Sequence, residues 1–450
     1  MWSKFIYFLH KLTPAQLIVT FYFIAVTVSV ILLSLPVAHR EGVELSFINA
    51  LFTAVSAVSV TGLTVVSTAD TFSVTGIFLL AFVLQFGGIG VMTLGTFIWL
   101  VMGRKIGLRE RKLIMVDQNQ TSLSGLVNLL RHILVIIIVI ELSGAFILGT
   151  YFLNYYPTWQ EAYLHGFFAS VSATTNGGFD ITGQSLIPYA NDYFVQFVTI
   201  LLITLGAIGF PVLIEVKDFL LNKKNQRYRF SLFTKLTTLT FMLLIIFGTL
   251  IIGILEFNHF FQGKSFIESF FYALFQSVTT RSGGLATMNI SDFTNPTLLV
   301  ICGLMFIGAS PSSVGGGIRT TTFALNILFL FHFARGKKNI KIFKRELLEE
   351  DVIKSLVVTM MAMLLCFTSL IILSITEPFS LIEILFEVCS AFGTTGLSMG
   401  ITPYLSDIGK FVIMFLMFVG RIGILSFLFL ISKKAADPNY HYPKERVIIG

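Results

Sequence analysis

One short motif occurs four times in this chain, and this repetition constrains the fold more than any single segment does. Each copy is a Ser/Thr-rich run that ends in Gly and a bulky apolar residue. The copies occupy residues 56–63, 172–179, 278–285 and 390–397. Their glycines stand at positions 62, 178, 284 and 396, at spacings of 116, 106 and 112 residues. A nearly constant period of this kind predicts four structural repeats.

The composition indicates that these repeats lie in a membrane. Of the 450 residues, 55% are hydrophobic and 12% are charged, and the mean hydropathy is +0.85. A soluble domain carries about 25% charged residues. The cysteines, Cys302, Cys366 and Cys389, lie in apolar segments without metal-site or disulfide spacing, so we interpret them as core residues. The first apolar run is long enough to span a bilayer and lacks a convincing cleavage site, so no cleavable signal peptide is expected.

The net charge of +7 is distributed as in a multi-pass membrane protein. Most Lys and Arg residues cluster near 104–112, 217–229, 335–345 and 433–434. The segments that lead into the motifs contain little more than Arg40 and Lys264. Because basic loops remain on the cytoplasmic side, we expect a plasma-membrane protein with both termini in the cytoplasm. The motifs then enter the bilayer from outside, and no nucleic-acid partner is implied.

Each repeat has the same predicted anatomy, namely a spanning helix (M1), a half-length helix (P) that leads into the motif, and a second spanning helix (M2). The P segments are too short to cross a bilayer, which needs about 20 apolar residues. The repeats are assigned to residues 1–113, 114–229, 230–350 and 351–450, the last including a cytoplasmic tail. The predicted M1 helices are 15–36, 130–153, 235–255 and 352–375, the P helices 45–59, 161–175, 266–281 and 381–393, and the M2 helices 76–102, 193–219, 296–333 and 411–431. The sequence therefore predicts an all-α integral membrane protein, with eight transmembrane helices and four re-entrant pore loops around a central pore.

The motif has the properties of an ion-selectivity filter. Gly allows backbone conformations that are costly for other residues, and small neighbours leave the carbonyl oxygens accessible. Four such loops around one axis would form a ring of carbonyls that can replace the water shell of a monovalent cation. Alternatively, each Gly only turns the chain between two helices, but four copies in register favour the filter. The candidate ion-binding residues are Val60, Thr61, Gly62, Asn176, Gly177, Gly178, Ser282, Gly283, Gly284, Thr394, Thr395 and Gly396.

The third repeat is interrupted within its last helix. Residues 296–333 would form a helix of about 57 Å, nearly twice a bilayer core of about 30 Å. The middle of this stretch, residues 308–322, contains a run that does not support a helix, with Gly308, Ser310, Pro311, Ser312, Ser313, Gly315, Gly316 and Gly317. We expect a flexible polar loop below the filter that acts as a gate. A phosphate-binding loop is the alternative, but no strand precedes this segment and no Gly-Lys-Ser/Thr follows it.

Two isolated charges are predicted at membrane depth. Arg421 takes the place that small residues have in the other repeats, namely Gly88, Ala207 and Ala309. Such small residues are also compatible with simple helix packing. A charge there is costly unless it faces water or a partner, so we expect Arg421 to face the pore and to take part in gating. Glu141 lies in the first helix of repeat 2, and its partner could be a Lys, an Arg or backbone donors.

Together these features resemble the Trk/Ktr/HKT superfamily of potassium uptake proteins, and most of all the membrane subunit of bacterial Ktr systems (KtrB/KtrD type). The resemblance covers residues 13–432 and rests on the fourfold motif, the interruption at 308–322 and Arg421. It implies that the four motif glycines select K+, and that the interruption and Arg421 form the gate. It also implies a homodimer with one pore per subunit and a separate cytosolic nucleotide-binding subunit of RCK/KTN type. Sodium-dependent potassium uptake is implied as well, with no covalent cofactor.

The expected function is therefore K+ uptake through a selective, gated transporter or channel. The alternative within this fold is a sodium-permeable or other secondary cation transporter. A membrane enzyme would need clustered acid–base groups, whereas the seven His residues are scattered. A carrier for an organic solute usually shows inverted repeats, but these four share one orientation. The sequence thus favours an ion pathway without enzymatic chemistry.

Overall fold

Helices make up most of the structure. A computed structural model describes residues 12–90, 126–221, 228–337 and 339–431, together with residues 443 and 445. The helices are α1 (Pro14–Leu33), α2 (Phe47–Val58), α3 (Thr68–Thr71), α4 (Val74–Gly88), α5 (Leu126–Phe152), α6 (Trp159–Thr174), α7 (Tyr193–Ala207), α8 (Phe210–Leu221), α9 (Leu232–Leu255), α10 (Phe266–Thr279), α11 (Asn295–Ile307), α12 (Thr320–Ala334), α13 (Glu349–Thr376), α14 (Leu381–Gly393), α15 (Asp407–Ile422) and α16 (Ile424–Ile431). Single 3-10 turns occur at Pro36–Ala38, Ile187–Tyr189, Ile290–Asp292 and Thr402–Tyr404.

Long apolar helices confirm a multi-pass membrane protein. Helices α1, α5, α9 and α13 are each long and apolar enough to cross a membrane. Two more crossings are possible if the bent pairs α7–α8 and α15–α16 each count as one span. The remaining part of the predicted span 76–102, beyond residue 90, lies outside the described residues, as does the basic cluster at 104–112.

Two predicted spans are bent instead of continuous. The chain turns by 105° between α7 and α8 and by 101° between α15 and α16. The prediction of unbroken helices over 193–219 and 411–431 was therefore wrong. At each bend a Gly has a positive φ, 103° at Gly209 and 86° at Gly423, and this conformation interrupts a right-handed helix. The predicted interruption of 296–333 is present, because α11 ends at Ile307 and α12 begins at Thr320.

Small residues bring the short helices α2, α6, α10 and α14 close to their neighbours. In α6, Gly166 packs so closely on α5 that an added Cβ would lie 2.5 Å from the Cα atom of Gly149. The Ser170 hydroxyl of α6 donates to the Glu141 carbonyl of α5 at 2.8 Å. In the next repeat, the Ser277 hydroxyl of α10 donates to the Ile245 carbonyl of α9, also at 2.8 Å. These contacts fix the depth at which α6 and α10 end, and hence the place where the second and third motif copies begin.

Two buried carboxylates, which the sequence analysis did not single out, each connect the end of a long helix to the start of a later helix. Glu256 follows α9 and accepts hydrogen bonds from the Thr294 amide (2.9 Å), the Thr294 hydroxyl (2.7 Å) and the Thr297 hydroxyl at the start of α11. Glu377 follows α13 and accepts from the amide (3.1 Å) and hydroxyl (2.5 Å) of Ser406, the N-cap of α15. A carboxylate at a helix N-terminus accepts hydrogen bonds from free N–H groups, and its negative charge interacts favourably with the positive end of the helix dipole.

The expectation of an all-α protein misses one small element. Strands β1 (Lys341–Ile342) and β2 (Arg345–Glu346) form an antiparallel ribbon between α12 and α13. Its turn residues, Phe343 and Lys344, have φ values of 48° and 62°, which match the twist of a tight two-residue hairpin. Two-residue strands leave no periodic pattern by which a sequence could indicate them. The three cysteines are buried free thiols, as expected.

Candidate ion pathway

The four motif loops meet at one place in the structure. An added Cβ on Gly62 would lie 2.8 Å from the Cα atom of Gly178, and one on Gly178 would lie 3.0 Å from that of Gly284. An added Cβ on Gly284 would lie 3.5 Å from the Cα atom of Gly396, and one on Gly396 would lie 3.0 Å from that of Gly62. The four glycines therefore follow one another around a closed ring in chain order.

All four motif loops share one backbone conformation. The φ angles of the glycines are 91°, 68°, 72° and 91° at Gly62, Gly178, Gly284 and Gly396. The residue two places earlier also has a positive φ in each loop, at Val60 (55°), Asn176 (54°), Ser282 (68°) and Thr394 (47°). Such φ values are uncommon outside Gly. Their recurrence makes the four loops structurally equivalent and places Gly284 in the same register as the other three glycines.

Hydroxyl groups of the short helices fix the motif loops, which explains why the motif is rich in Ser and Thr. The Gly62 amide donates to the Ser56 hydroxyl at 3.2 Å, and the Gly396 amide donates to the Ser390 hydroxyl at 3.0 Å. In the second and third loops the hydroxyl acts as a donor instead. Ser172 donates to the Phe179 carbonyl and Thr279 to the Leu285 carbonyl, both at 2.6 Å. The remaining loop residues, Thr61, Gly177, Gly283 and Thr395, are buried between these contacts.

The segment between α11 and α12, residues 308–319, packs directly against the third and fourth motif loops. The Gly316 amide donates to the Ser282 hydroxyl at 3.2 Å. An added Cβ on Gly315 would lie 2.6 Å from that hydroxyl, and one on Gly316 would lie 2.7 Å from the Cγ2 methyl of Thr394. Glycine is required at both positions because a side chain has no room.

The 308–319 segment is held more firmly than its glycine content predicts. The Ala309 amide donates to the Gly316 carbonyl at 3.1 Å, which closes the segment on itself. The Ser310 amide donates to the Ala207 carbonyl at 3.0 Å, and the Val314 amide donates to the Gly206 carbonyl at 3.2 Å. Both carbonyls lie at the end of α7. Gly308 has a φ of 70° and ends α11. Of the predicted gate residues in this segment, Pro311 is partly exposed, and the others are buried, namely Gly308, Ser310, Ser312, Ser313, Gly315, Gly316 and Gly317. Buried backbone groups must find partners, so this polar loop is folded into a defined shape.

Arg421 joins α15 to the 308–319 segment and to α4. Its guanidinium donates to the carbonyls of Val314 and Gly87, and to that of Gly315 at 3.5 Å. The sequence placed Arg421 near the middle of an unbroken span, whereas it lies in the last turn of α15, two residues before the bend at Gly423. Backbone carbonyls at a helix end and in a loop are free to accept such bonds, so these part-buried contacts link α15 to both neighbours.

A second arginine, which sequence reasoning missed, ends this segment and binds its backbone. Arg319 is the N-cap of α12 and has a φ of 81°. Its guanidinium donates to the Gly315 carbonyl and, at 3.4 Å, to the Ser310 carbonyl. Arg319 and Arg421 thus approach Gly315 from two different helices. The only sequence signal was the position of Arg319 at the end of the glycine-rich run.

A third arginine near this segment, Arg281, is fully buried and belongs to the third motif copy. Its side chain is 0% exposed, and its Nη2 atom donates to the Leu304 carbonyl at 2.6 Å. The Gly308 amide donates to the same carbonyl at 3.3 Å. Arg281 therefore connects the third motif loop to the last turn of α11, directly before the 308–319 segment. Arg281 was visible in the sequence as a departure of the third copy from the Ser/Thr-rich pattern, but its contact with α11 was not predicted.

Glu141 is paired with an amide side chain. The Nε2 group of Gln85 in α4 donates to both carboxylate oxygens of Glu141, each at 2.9 Å. The sequence left this partner open, and an amide side chain was not among the candidates considered. A single primary amide can bridge both oxygens, because it carries two hydrogens. The contact joins α4 to α5.

Comparison with known proteins places this arrangement in a family. The family model described as "TrkH: Cation transport protein" matches residues 5–442. The chain is 69% identical over 447 residues to the Ktr system potassium uptake protein D of Bacillus subtilis, which covers 99% of both chains. It is 36% identical to the Ktr system potassium uptake protein B of the same organism, with 98% of this chain and 97% of that protein covered. It is 34% identical to the potassium/sodium uptake protein NtpJ of Enterococcus hirae, with 98% of each covered.

A solved structure shows the same fold. The crystal structure of the potassium transporter TrkH from Vibrio parahaemolyticus matches with a TM-score of 0.69, at 21% identity, over 91% of this chain and 84% of that one. The resemblance inferred from the motifs is thereby confirmed. This chain belongs to the TrkH family of cation transport proteins and is of the Ktr B/D type.

Proposed function

We propose that this chain is the K+-selective membrane subunit of a potassium uptake system. The observation that carries this proposal is the closed ring of Gly62, Gly178, Gly284 and Gly396, in which each glycine lies too close to the backbone of a neighbouring motif loop for a side chain. Relatives with 69% and 36% identity are named as potassium uptake proteins. A ring of backbone carbonyls selects an alkali cation by replacing its water shell.

In the proposed architecture, four M1–P–M2 repeats surround one pore. M1 is α1, α5, α9 or α13, and P is the short helix α2, α6, α10 or α14. M2 begins with α4 in the first repeat and is α7–α8, α11–α12 or α15–α16 in the others. This gives eight transmembrane helices and four re-entrant loops, with repeat boundaries at 1–113, 114–229, 230–350 and 351–450. The basic clusters support a cell-membrane orientation with both termini in the cytoplasm.

The 308–319 segment and Arg421 form the proposed gate. The segment stands against Ser282 and Thr394 of two motif loops, so it obstructs the pathway next to the filter. Arg421 holds it in this position from α15, Arg319 fixes the internal shape of the segment, and both add positive charge that opposes a passing cation. Two unit charges 4 Å apart interact by about 4 kcal/mol near a protein surface. Opening requires the segment to leave Ser282 and the Arg421 hydrogen bonds to break.

A cytosolic nucleotide-binding subunit of RCK/KTN type is the proposed regulator, and two copies of the chain are proposed to form a homodimer with one pore each. The names of two relatives as proteins of a Ktr system support a multi-subunit assembly. Sodium is the proposed second ion, which the Enterococcus relative, a potassium/sodium uptake protein, supports. Potassium is cargo in this scheme, and no covalent cofactor takes part.

The test is isotopic K+ uptake in cells that lack their own K+ uptake systems. Cells that produce this chain should take up K+ and grow at low external K+, and excess Na+ should not displace K+ from the pathway. The same assay with and without Na+ separates Na+-dependent K+ uptake from K+ uptake alone. Uptake of Na+ at the rate of K+ would instead favour the sodium-permeable alternative. A membrane-inserted chain that moves neither ion, with and without a cytosolic Ktr subunit, would refute the proposal.

A further inference from the structure

The short helix of the fourth repeat contains a buried carboxylate that the proposed pathway has not used. Glu387 lies in α14 and is 0% exposed. It stands nine residues before the motif glycine of its repeat, Gly396. The equivalent positions in the other three repeats are uncharged, namely Thr53, Ala169 and Phe275. The carboxylate is therefore a feature of one loop out of four.

Glu387 binds the chain that leaves the fourth motif loop. Its Oε1 atom accepts a hydrogen bond from the Ser398 hydroxyl, two residues after Gly396. The Thr402 hydroxyl lies 2.9 Å from the same Oε1 atom and 2.9 Å from the Ser398 oxygen. The Gly400 amide donates to the Ser398 oxygen at 2.9 Å. One carboxylate oxygen thus fixes the exit from the loop against the helix that enters it.

The environment of the other carboxylate oxygen, Oε2, indicates a role for the negative charge of Glu387. Among the described residues, none supplies a hydrogen bond to Oε2 of Glu387, which is buried. The ion pairs of the described chain are His259–Glu256, Lys341–Glu346 and Lys354–Glu350, and none of them involves Glu387. A buried charge without full compensation is costly. A cation held by the neighbouring loop would offset that cost, since charges attract strongly where water is excluded.

We infer that Glu387 is a positioning residue for the fourth motif loop, which orients the loop through Ser398 and favours a bound alkali cation by its negative charge. The inference rests on the proposed K+ pathway. Without the charge, the loop keeps its backbone geometry less well and the bound cation loses a favourable field. The affinity and selectivity for K+ then fall, whereas the fold, which the other three loops and the helix packing maintain, persists.

The test compares two buried carboxylates of the same repeat. Glu387→Gln removes the charge beside the motif loop, and Glu377→Gln removes one that only caps α15. Glu387→Gln should raise the KM for K+ about tenfold, which corresponds to about 1.4 kcal/mol of binding free energy, and should weaken discrimination against Na+, because the bound cation loses a negative charge nearby. Glu377→Gln should lower the Tm and leave the KM unchanged. The amount of each variant in the membrane and its Tm are measured alongside uptake.

A second variant keeps the test decisive if Glu387→Gln does not fold. Ser398→Ala retains the carboxylate and removes one of its hydroxyl partners, so it should raise the KM for K+ in the same direction by about threefold, the effect of a weaker hydrogen bond. Folded Glu387→Gln and Ser398→Ala proteins with wild-type KM and selectivity would overturn the inference. A folded Ser398→Ala protein with wild-type values would do so even if Glu387→Gln is not recovered. Absence of K+ uptake by the unmodified chain would instead refute the proposed function.

Discussion

The Gly316 amide donates a hydrogen bond to the Ser282 hydroxyl at 3.2 Å, and this hydroxyl in turn donates to the Gly393 carbonyl at 2.9 Å. Ser282 belongs to the third motif loop, Gly393 ends the short helix before the fourth loop, and Gly316 belongs to the 308–319 segment. One side chain therefore connects the proposed filter to the proposed gate. A movement of the segment cannot occur without a change at this hydroxyl.

Ser282→Ala should weaken the closed form of the pathway. The substitution removes an acceptor for Gly316 and a donor to Gly393, and a hydrogen bond contributes about 0.5–1.5 kcal/mol. We expect the initial rate of K+ uptake in the absence of a cytosolic partner to rise about threefold to tenfold. Ser277→Ala is the matched control, since it removes a hydroxyl that donates to Ile245 and does not touch the 308–319 segment. Equal uptake rates for the two variants would show that the Ser282 contact does not restrain the segment.

Substitution of the motif glycines should reduce selectivity more than stability. Gly62→Ser and Gly396→Ser each place a Cβ on a backbone with a φ of 91° and against the next loop of the ring. We expect the preference for K+ over Na+ to fall at least about tenfold, because the carbonyl positions change. Gly303→Ser is the control, because a Cβ on Gly303 in α11 meets no atom within 4 Å. Competition of Na+ with isotopic K+ measures the effect, and unchanged competition in both filter variants would contradict the assignment.

The motif loops could be predicted from the sequence because repetition is itself a sequence property. The long helices α1, α5, α9 and α13 could be predicted as well, because the length of an apolar run is also a property of the sequence. The bend after α7 could not be predicted, because the sequence around Gly209 is compatible with a glycine that only allows close helix packing. Its tertiary contacts distinguish it from such a glycine. An added Cβ on Gly209 would lie 2.8 Å from the Pro311 carbonyl of a distant segment.

The partners of the buried charges were also beyond sequence reasoning. Glu141 and Gln85 are 56 residues apart, and nothing local connects them. Arg421 could be identified as unusual, but its partners are backbone carbonyls, and every residue has one. Glu387 went unnoticed because a single Glu in a short amphipathic helix is ordinary until its burial is known. Burial and tertiary contact, which composition does not encode, decide these roles.

Glu256→Gln should affect stability and leave ion selectivity intact. The Glu256 carboxylate accepts from the Thr294 amide and from the Thr294 and Thr297 hydroxyls at the start of α11, and none of these partners belongs to a motif loop. Loss of the charge should cost about 1–3 kcal/mol of unfolding free energy, seen as a lower Tm of the detergent-solubilised protein. Glu268→Gln is the control, since Glu268 is in the first turn of α10 on a partly exposed surface. A change of K+ selectivity in folded Glu256→Gln protein would contradict this separation of roles.

Arg421→Ala tests the proposed gate most directly. The substitution removes the donors to Val314, Gly315 and Gly87, and so detaches the 308–319 segment from both α15 and α4. It also removes a positive charge that opposes a cation beneath the motif loops. We expect K+ uptake without a cytosolic partner to rise about tenfold or more, because hydrogen bonds of a charged donor are worth about 1.5–3 kcal/mol. Arg335→Ala is the control, since Arg335 is exposed after α12 and stacks on Phe331. A folded Arg421→Ala protein with unchanged uptake and unchanged response to the partner would show that Arg421 is not part of the gate.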